Sequence, residues 1–349
     1  MRRTAGLSLL VIALVSLTGC AADEPVVVSR EALGTVVTVT AYGDDEQAVR
    51  AAIEDAYAAM AAVESQLDSH DPGSALSRFN DTPYEEQELP PDAVEVLNAI
   101  DALGASAHFS PVLSAVTRLY DFEGGGAVPD EEALYLALVA GNGFRRITTE
   151  TATFARVKDP DPRLEPGGVL APALDLGGAS KGLALDRARE VLRAGGAVSA
   201  ALVSSTSSTV TFGTKPDGSV WRVGVEDPRD TSRVVAVFAF EGDGALSTSG
   251  DYQRYFEADG LRYHHILDPS TGLPARGFRS LTVGGAGVSG VDADILSTAL
   301  FVAGRDAARA YAEEWDVALF AVDAGGRALV VPAPERSGVS VAEEATPLP

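Results

Sequence analysis

Asp294 and Thr298 stand four residues apart in Val291-Asp292-Ala293-Asp294-Ile295-Leu296-Ser297-Thr298, at the mouth of the apolar run Ala299 to Ala303. On a helix this spacing stacks a carboxylate and a hydroxyl on one face as two hard oxygen ligands, or it leaves Asp294 as an ordinary helix cap. A second segment, Leu174-Asp175-Leu176-Gly177-Gly178-Ala179-Ser180-Lys181-Gly182, reads as a strand end, a glycine turn and the start of a helix bearing Asp186. Bare backbone and a helix N-terminus there favour phosphate, although a plain strand-to-helix turn has the same composition. The segment has neither Walker nor G-x-G-x-x-G spacing, so it supports neither a P-loop nor a dinucleotide turn. A third segment, Thr248 to Phe256, reads as a hydroxyl-rich turn, and soon after it His264-His265-Ile266-Leu267-Asp268-Pro269-Ser270-Thr271-Gly272 sets histidine near aspartate, the usual acid–base pair. Adjacent histidines on a strand face opposite ways, so at most one of them serves a site, and Asp268 to Gly272 could also be a simple turn.

The elements that must position these groups are mixed. Val36 to Tyr42 is β-rich, as are Ala200 to Phe212, Trp221 to Val225, Arg233 to Phe240 and Ser280 to Val283; Glu46 to Leu67, Pro90 to Gly104, Lys181 to Ala194 and Ala293 to Trp315 read as helices. Strands come in runs and not in regular alternation with helices, which predicts an α+β fold. Trp221 and Trp315 are expected in the core, His108 and His264 as ordinary polar side chains, and Glu131 and Glu132 at the start of a helix after Val128-Pro129-Asp130.

Ahead of these elements, Arg2 and Arg3 precede the apolar run Leu7 to Leu17 and then Leu17-Thr18-Gly19-Cys20. Residues 1–19 thus read as a signal peptide, too short to span a bilayer as a mature helix, ending on a lipobox-like pattern that marks Cys20 for lipidation. Cys20 is the only cysteine of the chain, so disulfide chemistry has no part in the mature protein. Residues 20–29 are expected to tether a domain of residues 30–331, followed by a flexible acidic, proline-rich tail over 332–349. Without residues 1–19 the chain keeps 25 basic against 50 acidic residues, a formal charge of −25. Such a surface repels nucleic acid and anionic headgroups, which leaves the lipid as the membrane tether and requires a metal or local basic groups for any anionic ligand.

Six segments in order resemble one family. Leu33-Gly34-Thr35, Asp175 to Gly182, Gly213 to Gly218 with Trp221 to Val225, Thr248 to Phe256, His265 to Gly272 and Asp294 to Gly304 are similar to the motifs of the ApbE family, the FAD:protein FMN transferases, many of them exported lipoproteins. The resemblance implies a single two-lobed, T-fold-related α+β domain with mixed antiparallel sheets. It implies Mg²⁺ held by a backbone carbonyl of Gly178 with Asp294 and Thr298, and FAD as substrate lined by Leu33, His70, Phe109, Ser110, Asp175, Lys181, Ser249, Gly250 and Ile266. His265, ranked ahead of Asp268, would be the base that deprotonates a threonine hydroxyl, which attacks the FMN phosphorus while AMP leaves. The implied partner is an exported or membrane-anchored flavoprotein subunit. Mg-dependent hydrolysis of FAD to FMN and AMP, and non-catalytic FAD binding by an exported lipoprotein, are the alternative readings.

The chain departs from the family pattern at three places. His70 stands where many members have an aromatic residue, Phe109-Ser110-Pro111-Val112 replaces F-D-x-T, and Ser204 to Ser208 replaces an Asn and Gly-Gly. These substitutions are expected to touch nucleotide binding more than metal chemistry.

Overall fold

Eight antiparallel strands build the main sheet of the computed structural model, which describes residues 24–141, 144–149, 152–157, 171–331 and 340–342. From one edge to the other they are Val26–Ala32, Thr35–Tyr42, Ala200–Ser204, Ser208–Phe212, Gly244–Gly250, Phe278–Ala286, Ala318–Asp323 and Ala328–Val331. Side chains alternate between its faces. Ala245, Val210 and Phe212 pack toward helices Glu46–Leu67, Gly177–Ala194 and Gly290–Ala303. Leu246, Phe320 and Val322 pack the other way, against a three-stranded sheet of Trp221–Asp227, Asp230–Phe240 and Ser340–Ala342. The α+β expectation holds, as helices over a sheet backed by a second sheet.

The Glu46–Leu67 helix forms where the sequence predicts it. Asp45 caps it by accepting from the Gln47 and Ala48 amides, and Val49, Ala52, Ile53, Ala56, Tyr57, Met60, Val63 and Leu67 make its buried stripe. The expected Pro90 to Gly104 helix runs Pro91–Ala102, and Asp130 opens Glu131–Gly141 by accepting from the Ala133 amide at 2.8 Å.

Two single elements prove to be pairs. The β-run Ala200 to Phe212 folds back as a hairpin with Ser205 to Ser207 at its turn. The long helix expected from Ala293 to Trp315 breaks at Gly304, whose φ of 85° only glycine adopts without strain, and resumes as Arg305–Trp315. Trp315 is also not a core residue: it is 48% exposed and stacks on Tyr311 at 5.4 Å. Part of the expected free tail is held, because Ser340–Ala342 pairs with Asp230–Phe240; the rest of that tail, and Cys20, lie outside the described residues.

A second lobe packs helices Ser114–Tyr120 and Glu131–Gly141 against the hairpin Tyr255–Ala258 and Leu261–His264. Tyr120, Phe122, Phe256 and Tyr263 form its aromatic chain, and the Tyr120 hydroxyl donates to the Gly272 carbonyl at 2.8 Å.

Helices Gly177–Ala194 and Gly290–Ala303 are locked together by Asp186. Its carboxylate is 4% exposed and accepts from the Gly290 amide at 2.8 Å, the Val291 amide at 2.9 Å and Arg189 at 2.7 Å. Asp186→Ala strands two buried amides at the start of the second helix. The expected loss is about 3 kcal/mol, at roughly 1–3 kcal/mol per unpaired group, read from urea unfolding.

Candidate functional site

Asp294 is not a cap. Ser289 caps the Gly290–Ala303 helix by accepting from the Asp292 amide at 3.1 Å, while Asp294 sits a turn further in and sends its carboxylate to the neighbouring helix. Its Oδ2 accepts from the Gly182 amide at 2.9 Å, and Oδ1 accepts from Ser247 Oγ at 2.7 Å and Ser208 Oγ at 3.0 Å. Thr298, one turn on, has Oγ1 3.2 Å from Ser249 Oγ, which lies 2.9 Å from Ser297 Oγ.

Gly178 completes this cluster. A Cβ built there would stand 3.9 Å from Thr298 Oγ1 and 3.1 Å from the Phe109 ring. Gly178 therefore faces Thr298 and Gly182 faces Asp294 where the two helices cross. Among the described residues no three His, Cys, Asp or Glu side chains gather to hold a metal, so this corner offers one carboxylate, a hydroxyl and backbone carbonyl oxygen. That hard, all-oxygen set fits Mg²⁺, which typically takes one or two carboxylates and completes its shell with water and substrate phosphate.

The phosphate-favouring segment differs from its sequence reading in detail. Residues 171–176 form no strand; they are held by Asn80, whose side chain donates to the Leu174 carbonyl at 2.9 Å and accepts from the Leu174 amide at 2.7 Å. The helix begins at Gly177 itself, with Asp175 Oδ1 accepting from the Gly177 amide at 2.9 Å and the Asp175 amide bonded to the Pro111 carbonyl at 2.7 Å. Thr248 and Ser249 likewise lie on strand Gly244–Gly250 and not in a turn, and Gly250 ends it.

His265 follows the hairpin, with Nδ1 3.3 Å from the Arg254 carbonyl and no hydrogen bond to Nε2 among the described residues. The half-buried ring loses the water that would solvate its cation, and Arg254, His264 and Lys181 add positive potential, so its pKa is pushed down to about 3. His265 is thus neutral at pH 7 and free to accept a proton. Since the unfolded chain binds that proton near pH 6.5 and the folded chain does not, His265 costs stability progressively as pH falls below about 6.5. If His265 is the base, kcat/KM stays flat from pH 7.5 to 5.5 instead of halving near 6.5, and a pH–rate profile checks this. Asp268 is occupied otherwise: its Oδ1 accepts from Ser270 N at 2.8 Å and Ser270 Oγ at 2.7 Å, closing the turn that the composition of Asp268 to Gly272 allowed.

The remaining expected ligand residues divide. Lys181 is close enough for its charge to act on His265, and Ser249 touches Thr298. Phe109 and Ile266 are 6% and 4% exposed and belong to the core, Phe109 against Gly178 and Ile266 beside Leu296 and Leu300. Ser110 is half-buried, and its hydroxyl accepts weakly from the Val112 amide at 3.4 Å. Leu33 takes φ 55° in the Leu33-Gly34 turn, and Thr35 beside it reaches Thr206 at 3.1 Å. His70 is exposed, its amide bonded to Asp68 at 2.8 Å and its Nδ1 3.5 Å from the same carboxylate.

The serine-rich departure reaches the hydrogen-bond cluster around Asp294. Ser208, at its end, donates to Asp294, and Ser247 is its cross-strand partner in register. Ser208 entered the sequence reading only as part of the serine-rich departure and Ser247 not at all; the i, i+2 spacing of Ser247 and Ser249 is the signal that places both on the helix-facing side.

These features define a mixed α+β protein with a single-carboxylate, all-oxygen corner beside a helix N-terminus. The ApbE family model matches residues 33–321. The chain belongs to the ApbE family. It is 31% identical to the FAD:protein FMN transferase of Treponema pallidum over 304 residues, 81% of this chain and 80% of that one. The Escherichia coli K12 FAD:protein FMN transferase is 27% identical over 315 residues, 87% of this chain and 86% of its own. Among solved structures, the ApbE protein of Thermotoga maritima superposes with a TM-score of 0.74 at 30% identity, covering 88% of this chain and 97% of that one. Pseudomonas stutzeri flavinyl transferase ApbE, in apo form, gives 0.72 at 28% identity, covering 90% and 97%.

Proposed function

We propose that this chain transfers the FMN moiety of FAD to a threonine hydroxyl of a partner protein. The observation that carries the reading is the meeting of Asp294, Thr298 and Gly178 beside the Gly177 helix start, in a chain of this family. The new bond joins the threonine Oγ to the FMN phosphorus, the anhydride bond to AMP breaks, and the hydroxyl proton passes to His265 Nε2. Asp294, Thr298 and the Gly178 carbonyl would hold Mg²⁺, which supplies Lewis-acid polarisation and charge neutralisation at the diphosphate. At the start of the Gly177–Ala194 helix Asp175 already takes the Gly177 amide, so the positive charge suited to the same anionic group is that of Lys181 with the helix dipole behind it. His265, neutral by desolvation, accepts without first losing a proton.

The signal-like residues 1–19 and Cys20 support export with a lipid anchor on the outer face of the membrane, facing an exported or membrane-anchored flavoprotein subunit. Among the described residues no helix is long and apolar enough to cross a membrane.

Incubating the chain with FAD, Mg²⁺ and an acceptor protein should add the mass of FMN to the acceptor and release AMP in equal amount. FMN and AMP appearing free with no mass gain would replace transfer by hydrolysis. Chelation of the metal should stop the reaction, and an undiminished rate after chelation would remove Mg²⁺ from the site.

A further inference from the structure

Four buried serines, Ser208, Ser247, Ser249 and Ser297, surround Asp294 and Thr298, and each hydroxyl has one proton to give. Counting those protons fixes the direction of the bonds. The Ser297 hydroxyl donates to the Asp294 carbonyl at 2.9 Å, since a carbonyl can only accept and Ser247 Oγ is further off at 3.5 Å. Ser297 Oγ therefore accepts from Ser249 at 2.9 Å. With its own proton committed there, Ser249 accepts from Thr298 at 3.2 Å. Thr298 Oγ1 has no other hydrogen bond among the described residues, so its proton points to Ser249 and its lone pairs stay open.

The carboxylate of Asp294 is sorted in the same way. Ser247 and Ser208 both reach its Oδ1, at 2.7 and 3.0 Å, and a charged acceptor draws both protons in preference to the 3.0 Å contact between the two hydroxyls. A carboxylate oxygen has about two lone-pair sites, so Oδ1 is filled. Oδ2 accepts from the Gly182 amide at 2.9 Å and keeps one lone pair. That amide is also the one a regular helix aims at the carbonyl four residues back, that of Gly178, so Oδ2 and the Gly178 carbonyl oxygen converge on one donor.

We propose that Ser208 and Ser247 set the choice of cation: by filling Oδ1 they make Asp294 a one-oxygen ligand, which admits Mg²⁺ and discriminates against Ca²⁺. This rests on the reading of Asp294, Thr298 and Gly178 as the residues that hold Mg²⁺. Mg²⁺ demands near-octahedral geometry, which the narrow bite of both oxygens of one carboxylate distorts, whereas the larger Ca²⁺ takes about 6–8 oxygens and gains two at once from a bidentate carboxylate. Ser249 and Ser297 hold Thr298 and do not choose between the ions. Ser208 stands in the Ser204 to Ser208 segment where this chain departs from the family pattern, so half of the filling of Oδ1 comes from that departure.

Mn²⁺ binding to the full chain with FAD present, read by electron paramagnetic resonance of the free ion and competed in turn with Mg²⁺ and Ca²⁺, tests this. Asp294→Asn measures the Mn²⁺ held elsewhere on the acidic surface. In the parent chain Mg²⁺ should displace the remaining Mn²⁺ at a concentration at least about tenfold lower than Ca²⁺ does. Ser208→Ala and Ser247→Ala are made singly, so that Oδ1 keeps one hydroxyl in each. At least one of them should raise Ca²⁺ affinity about tenfold while Mg²⁺ affinity moves by less than about threefold. Loss of affinity for both ions together is what a role in packing alone predicts, and it would overturn the proposal. So would an unmoved ratio in both variants, or a parent chain that prefers Ca²⁺ or holds no more Mn²⁺ than Asp294→Asn. Transfer is read separately, as FMN mass on the acceptor, so its persistence beside any of these results removes only the role given to the two serines.

Discussion

Asparagine at position 294 is expected to give a folded chain that no longer transfers FMN. The fold asks three things of this side chain: to accept from the Gly182 amide, from Ser208 and from Ser247. An asparagine can turn its oxygen to the Gly182 amide, which can only donate, and its NH₂ to the two serine hydroxyls, which can rotate to accept. The hydrogen bonds survive in kind while the charge disappears. Unfolding stability should therefore move by about 1 kcal/mol, the scale of one altered hydrogen bond, whereas transfer should fall by about 100-fold or more, as befits loss of the one carboxylate available to a cation there. Alanine at the same position confuses the two effects, because it leaves an amide and two hydroxyls buried without their acceptor. Intact-mass measurement of FMN on the acceptor, beside a denaturant titration, separates them. Undiminished transfer by Asp294→Asn would move the metal to other oxygens.

Legibility in the sequence followed the range of the interactions. The Glu46–Leu67 helix announces itself through a cap and a 3.6-residue stripe, both local, and it appears with the expected bounds. Asp294 and Thr298 were legible for the same reason, their geometry being one turn of helix. Ser208 and Ser247 were not, since they are 39 residues apart and meet Asp294 only through the register of an antiparallel pair. The break at Gly304 was hidden because an Ala-rich stretch continues on both sides of it, and only a positive φ at that glycine separates the helices. His264 was half legible: alternation turns it away from His265, but its burial depends on contacts such as Phe301, edge-on at 5.7 Å, that no local pattern encodes.

Gly182→Ala makes the opposite test, a gain in helix propensity that should cost stability. Alanine is favoured over glycine inside an exposed helix by about 1 kcal/mol, so propensity alone predicts a stabilised Gly177–Ala194 helix. At this position a Cβ would stand 2.1 Å from the Gly290 carbonyl oxygen and 2.9 Å from Asp294 Cβ. The first obstacle is main chain and cannot swing aside, so the two helices must separate. Separation pulls on every bond at the crossing, including Gly182 to Asp294 and Asp186 to the Gly290 and Val291 amides. Overpacking of about 1–3 kcal/mol plus about 1 kcal/mol for each weakened hydrogen bond gives an expected loss of about 4–6 kcal/mol, a large part of the roughly 5–15 kcal/mol that holds a domain folded. Gly195→Ala is the control, for its Cβ would meet nothing nearer than the Val191 carbonyl at 3.6 Å and its φ of −69° suits any residue. Urea unfolding of the two variants should differ in midpoint by far more than propensity can supply. A stabilised Gly182→Ala would mean that the helices do not cross at the close contact on which the position of Asp294 depends.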